Sequence, residues 1–100
     1  MAKKVLVTGS TSGIGLGIAE AFAKNGDHVM FNGLEQNGAE IANQIGAQYQ
    51  VKVGYSNANL MTPEGVQQLI DKTYETLGGI DILVNNAGIQ YVSPIEDFPI

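Results

Sequence analysis

One hundred residues, 44% of them hydrophobic and thirteen of them glycine, suffice for one small packed domain and match neither a disordered nor a fibrous chain. Ten acidic residues against five lysines, with no arginine, give a net charge of −5, so no basic stripe is available for nucleic acid or an anionic membrane. Without cysteine there is no disulfide framework or thiolate metal site, and a single histidine cannot build a metal cluster.

The first apolar run, Val5-Leu6-Val7, suits a strand buried on both faces. It breaks into Thr8-Gly9-Ser10-Thr11-Ser12-Gly13-Ile14-Gly15, and apolar positions Ile14, Ile18, Ala21 and Phe22 then follow at helical spacing. Lys24 favours the dipole in the last turn and Gly26 ends the helix as its C′ residue. Val29-Met30-Phe31 reads as a second short strand, with His28 before it in a structural role, and the pattern breaks at Asn32-Gly33-Leu34-Glu35. Strand, helix and strand within about thirty residues make a right-handed βαβ unit.

Asn37 to Ile45 carries Ala39, Ile41, Ala42 and Ile45 at mixed helical spacing, so a second helix is expected there, closed by Gly46. Val51, Val53 and Tyr55 alternate with Lys52 and Gly54, as in a half-exposed edge strand. Thr62-Pro63 is a strong helix start, and Val66, Leu69, Ile70, Thr73, Tyr74 and Leu77 continue it until Gly78-Gly79. Ile82-Leu83-Val84 then reads as a fourth buried strand running into Asn85-Asn86-Ala87-Gly88. No repeat or linker divides the chain, so residues 1–100 are expected to form one domain. No apolar stretch of about 18 residues and no signal-peptide pattern is seen, and a cytoplasmic location is the expectation.

Continuous apolar strands alternating with helices imply an α/β doubly wound parallel sheet of Rossmann type, with strand order 3-2-1-4. Ligands in such sheets lie beyond the carboxyl ends of the strands, where the Gly9 to Gly15 loop, the Gly33 to Glu35 turn and Asn85 to Gly88 all fall. The glycine loop opens a helix whose first N–H groups are unpaired and electropositive, which suits a phosphate. Its spacing is G-x-x-x-G-x-G, not G-x-G-x-x-G, and no Gly-Lys-Ser/Thr follows to make a Walker loop.

These motifs resemble those of the short-chain dehydrogenase/reductase family. Thr8 to Gly15 matches its T-G-x-x-x-G-I-G loop and Asn85 to Gly88 its N-N-A-G motif after the fourth strand. Within the family, Asn86-Ala87-Gly88-Ile89-Gln90 and Pro94-Ile95-Glu96-Asp97-Phe98-Pro99 are most similar to the D-3-hydroxybutyrate dehydrogenases. The resemblance implies that Gly9, Thr11, Ser12, Gly13 and Ile14, with Gly15, hold the pyrophosphate. Asn86, Ala87 and Gly88 would line the adenosine ribose side. Leu34 and Glu35 would stand beside the ribose, and Ala58, Asn59 and Leu60 beside the adenine. Asn59 replaces the family's usual aspartate, an exchange worth on the order of 1 kcal/mol of adenine binding. Gln90 would turn toward a substrate carboxylate. NAD is favoured over NADP, because neither Ser10 to Ser12 nor Gly33 to Asn37 contains a lysine or arginine for a 2′-phosphate, and Glu35 would repel one.

Members of the family use a tyrosine as acid/base, a lysine four residues later to tune it, and a serine to hold the substrate oxygen. The residues four past Tyr49, Tyr55, Tyr74 and Tyr91 are Val53, Asn59, Gly78 and Ile95, so no such pair exists here. No catalytic residue is therefore expected in this chain, which reads as the cofactor-binding half of a longer enzyme, inactive alone. Ser93-Pro94-Ile95-Glu96 has the form of a capping box that Pro99 would cut short. The whole enzyme would act on a small hydroxy acid such as 3-hydroxybutyrate, as a homo-oligomer with no metal. The alternatives are a non-catalytic dinucleotide-binding or assembly module, or a relative acting on another substrate such as a 3-ketoacyl thioester.

Overall fold

The computed structural model describes residues 2–86. The elements run β1 (Lys4–Val7), α1 (Gly13–Lys24), β2 (His28–Asn32), α2 (Gly38–Tyr49), β3 (Val53–Ser56), α3 (Pro63–Leu77) and β4 (Ile82–Val84). All strand pairs are parallel and the order is β3-β2-β1-β4, as the alternation of elements implies. Val5 pairs with Val29 on one side and Ile82 on the other, and Val7 with Phe31 and Val84.

Side chains alternate across the sheet and build two cores. Val5, Val7, Val29 and Phe31 pack with Ala19 and Ala23 of α1 and Ala42 and Ile45 of α2. Leu6 and Met30 point the other way, to Leu69 and Leu77 of α3 and to Ala58. The result is a three-layer sandwich with helices on both faces.

The inward stripe of α1 differs from the expected one. Gly15, Ala19 and Ala23 are its buried residues, Ile18 and Phe22 flank the core partly buried, Ala21 is exposed, and Ile14 is 79% exposed. The helix begins hard against the loop it follows, where a Cβ on Gly15 would lie 2.0 Å from the Gly9 carbonyl oxygen. Only small residues permit that approach, and they carry little hydrophobic signal. At its other end, Gly26 (φ 97°) completes a Schellman motif, with Gly26 N–H donating to the Ala23 carbonyl and Asp27 N–H to that of Phe22.

The second helix does not stop at Gly46. It continues to Tyr49, and Gln50 ends it in the left-handed region at φ 59°. Gly46 is buried in its last turns because a Cβ there would meet Val53 Cγ2 at 2.7 Å, so the glycine marks close packing on β3. Ala39 is exposed and Ile41 half-buried, while Gly38, Ala42 and Ile45 face inward. The third strand starts at Val53, two residues later than the alternation from Val51 suggests, and lies at the sheet edge as expected. The fourth strand is also an edge and is not buried: Ile82 and Val84 are half-buried and Leu83 is 43% exposed. Thr62 caps α3 as predicted, its Oγ1 accepting the Gly65 N–H at 3.0 Å, and Gly78 (φ 87°) ends it.

Candidate functional site

The carboxyl ends of the four strands deliver the Gly9 to Gly15 loop, the Gly33 to Glu35 turn and the Asn85-Asn86 pair to one edge. The loop between β1 and α1 is bound from both sides. Its Ser10 N–H donates to the Asn32 carbonyl at 2.6 Å, and Ser10 Oγ donates to the Val7 carbonyl at 2.7 Å while accepting the Asn32 N–H at 2.9 Å. From the β4 side, Asn86 Nδ2 donates to the Gly9 carbonyl at 3.1 Å, and the Asn86 N–H donates to Thr8 Oγ1 at 2.8 Å. Gly9 itself has φ 59°, a conformation glycine adopts without strain.

Past that clamp the loop opens to solvent. Ser12, Gly13 and Ile14 are exposed, and the Ser12 side chain at the N-cap makes no capping bond. Gly13 (φ 59°) and Gly17 have nothing within 4 Å of where a Cβ would stand. No acidic residue occupies the first turn of α1. Unpaired helix N–H groups, the positive dipole end and open space coincide here, the setting an anionic group needs.

On the β2 side, Thr11 Oγ1 donates to the carboxylate of Glu35, and Thr11 is only 2% exposed. The Thr11 hydroxyl, and after it that of Ser12, holds the Glu35 carboxyl below the usual carboxylate range. Gly33 makes this contact possible, since a Cβ there would fall 1.8 Å from Thr11 Oγ1. From the edge strand, Tyr55 donates its hydroxyl to the Gly33 carbonyl at 2.7 Å, and its ring lies 2.4 Å from where a Cβ on Gly38 would stand. The turn carrying Leu34 and Glu35 is thus held to the glycine loop and to β3. Leu34 is exposed above it.

On the far side, Ser56 Oγ accepts the Ala58 N–H at 3.1 Å and Asn59 Oδ1 accepts the Met61 N–H at 2.9 Å, so Asn59 closes its own turn. Ala58 is buried and Leu60 half-buried against Leu69 and Leu77. Among the described residues no buried polar side-chain atom lacks a partner, no cluster of His, Cys, Asp or Glu could hold a metal ion, and no helix is long and apolar enough to cross a membrane.

A profile described as short chain dehydrogenase matches residues 3–100. The chain belongs to the short-chain dehydrogenase family. D-beta-hydroxybutyrate dehydrogenase of Cupriavidus necator is 46% identical over 97 residues, which cover 97% of this chain and 38% of that protein. The 3-oxoacyl-acyl-carrier-protein reductase of Aquifex aeolicus is 43% identical over 88 residues, covering 87% of this chain and 36% of its own length. Among solved structures, L-sorbose reductase from Gluconobacter frateurii, complexed with NADPH and L-sorbose, superposes with a TM-score of 0.82 at 38% identity, over 96% of this chain and 37% of that one. The chain therefore spans less than half the length of these relatives. The short-chain dehydrogenase family is one of oxidoreductases on a dinucleotide-binding fold, and the matched relatives differ in substrate.

Within that family framework, the structure brings Gly9, Thr11, Ser12, Gly13, Ile14, Gly15, Glu35 and Asn86 around one edge. Gly9 shapes the loop, with its N–H turned to Asn32 Oδ1 and its carbonyl to Asn86. Ala87, Gly88, Gln90 and the Ser93 to Glu96 segment lie outside the described residues. In sequence Asn32 marks only the point where the strand pattern breaks; its burial at a strand end beside the loop is the sign a sequence alone cannot give. His28 has the structural role expected, its Nδ1 accepting the Lys52 N–H at 3.0 Å.

Proposed function

We propose that the chain is the NAD-binding part of a short-chain dehydrogenase that moves hydride between NAD and a small hydroxy acid of the 3-hydroxybutyrate class. The observation that carries the cofactor assignment is the Glu35 carboxylate, anchored by Thr11 beside the loop. A 2′-phosphate would bring about two further negative charges toward that fixed carboxylate. No lysine lies between Asp27 and Gln50 or in the loop to offset them. The substrate class is supported by the likeness to the Cupriavidus dehydrogenase, while the Aquifex reductase marks a thioester as the competing substrate.

NAD bound here would carry the hydride on its nicotinamide. The chain's own residues would bind and orient it: Thr11, Ser12, Gly13 and Ile14 at the open end of α1, with Glu35 and Leu34 on the ribose side and Ala58 to Leu60 toward the adenine. None of these supplies acid/base chemistry. The described tyrosines with shifted phenols point away from that role, because Tyr49, bound to Glu20 at 2.9 Å, is pushed up by that carboxylate, and Tyr55 is pushed up by burial and by Glu35. An acid/base tyrosine near neutrality needs the opposite shift. The catalytic serine and Tyr-x-x-x-Lys pair belong, on this reading, to sequence beyond Ile100, and the 100 residues alone are inactive.

The reading is tested by extending the sequence past Ile100 and assaying the whole protein with D-3-hydroxybutyrate and with a 3-ketoacyl thioester, using NAD and NADP in parallel. Hydroxybutyrate-dependent NADH formation is expected. Turnover of the thioester with NADPH alone, or the lack of a downstream Tyr-x-x-x-Lys, would overturn it.

A further inference from the structure

Asn32, the last residue of β2, is 2% exposed. A buried amide at a strand end is costly unless every polar atom is satisfied, and an apolar residue there would bury more cheaply. Its three bonds run to three separate places. Oδ1 accepts the Gly9 N–H at 3.1 Å, and Nδ2 donates to the Ser56 carbonyl at 3.2 Å and the Ala58 carbonyl at 3.3 Å. Two donors facing carbonyls and one acceptor facing an N–H leave a single orientation for the amide. Its backbone holds Ser10 as well, accepting the Ser10 N–H and donating to Ser10 Oγ. One residue thus fixes the peptide of the first loop glycine and ties it to the segment leading into Asn59.

We infer that Asn32 is a positioning residue for cofactor binding: its amide sets the Gly9 peptide so that the exposed N–H groups at Gly13 and Ile14 stand where a pyrophosphate can be held, and it couples that loop to the adenine side. The inference rests on the proposed dinucleotide reading. It names a group that touches no cofactor atom and acts through Gly9 and Ala58.

The Asn32→Asp variant tests this through pH. An ionised aspartate keeps the acceptor for Gly9 but turns a negative oxygen on the Ser56 and Ala58 carbonyls. A protonated one again donates to one of the two carbonyls and restores part of the amide's pattern. In the whole protein that carries this chain, NADH affinity of the variant is expected to fall about tenfold or more near pH 8 and to recover as the pH is lowered toward about 5, while the parent stays flat. The titratable groups on the segments that flank Asn32 are Glu35, held low by Thr11, and Tyr55, pushed up by burial, both shifted away from that range. A folded variant whose affinity equals that of the parent, or is reduced equally at all pH values, would overturn the role of Asn32 and leave the dinucleotide reading intact. A parent that binds neither NADH nor NADPH would instead remove the reading itself. Hydrogen exchange in the parent gives a second arm should the variant fail to fold. The Gly9 amide is expected to be protected before cofactor is added, and free exchange at Gly9 would overturn the inference.

Discussion

Asn86 Nδ2 donates to the Gly9 carbonyl at 3.1 Å, joining the end of β4 to the first glycine of the loop after β1. The same two groups set the limit on Gly15, where a Cβ would stand 2.0 Å from the Gly9 oxygen and 2.6 Å from Asn86 Nδ2. Loop, helix start and strand end are therefore one packed unit, and the exposed stretch from Ser12 to Ile14 is its outer side.

Gly15→Ala is expected to break that unit. The nearest atom is backbone and cannot rotate away, so the substitution should cost about 1–3 kcal/mol and weaken NADH binding with it. Gly17→Ala, two residues on in the same helix with open space at its Cβ, is expected to stabilise the protein by about 0.5–1 kcal/mol. Denaturant melts of both variants alongside the parent check the pair.

Gly65→Ala should act on the side proposed for the adenine. A Cβ at Gly65 would lie 1.7 Å from the Asn59 carbonyl oxygen, so the first turn of α3 and Asn59 must move apart. A stability loss of about 1–3 kcal/mol is expected together with weaker NADH binding, measured by melting and by calorimetry.

Glu35→Gln removes the charge on the side proposed for the ribose while keeping an acceptor for Thr11. The preference for NADH over NADPH is expected to narrow by about 1 kcal/mol, roughly fivefold in the ratio of affinities. Parallel titrations of parent and variant with both dinucleotides read this directly.

Much of this architecture is legible in the chain. Short apolar runs cut by glycine and asparagine give the strands and their order, because a strand buried on both faces leaves few other readings. Gly46 and the inward face of α1 were not legible. A glycine in a helical pattern looks like a stop until Val53 is seen beside it, and Gly15, Ala19 and Ala23 attract no notice next to Ile14 and Phe22. Asn32 is illegible for a related reason: a buried polar hub is defined by the two segments its amide joins, and sequence spacing carries no trace of them.

Acid stability should depend on Asp27, which is 4% exposed and accepts the Lys3 N–H at 2.9 Å and the Asn25 amide at 3.2 Å. The Lys3 N–H is the largest cause holding its carboxyl below the ordinary value, outweighing burial, which raises it. A carboxyl depressed on folding contributes fully above its unfolded value, near about 3.9, and that contribution is lost as the pH falls through the lower folded value. Asp27→Asn is expected to cost about 1 kcal/mol at neutral pH, with the gap to the parent closing below about pH 4. Melts across that range supply the comparison.

The most direct measurement is calorimetric titration of the whole protein carrying this chain with NADH and NADPH side by side. Saturable binding of NADH, tighter than that of NADPH, is the expected result. Tighter binding of NADPH, or no binding of either, would contradict the assignment of the Gly9 to Gly15 edge, with Glu35 beside it, as an NAD site.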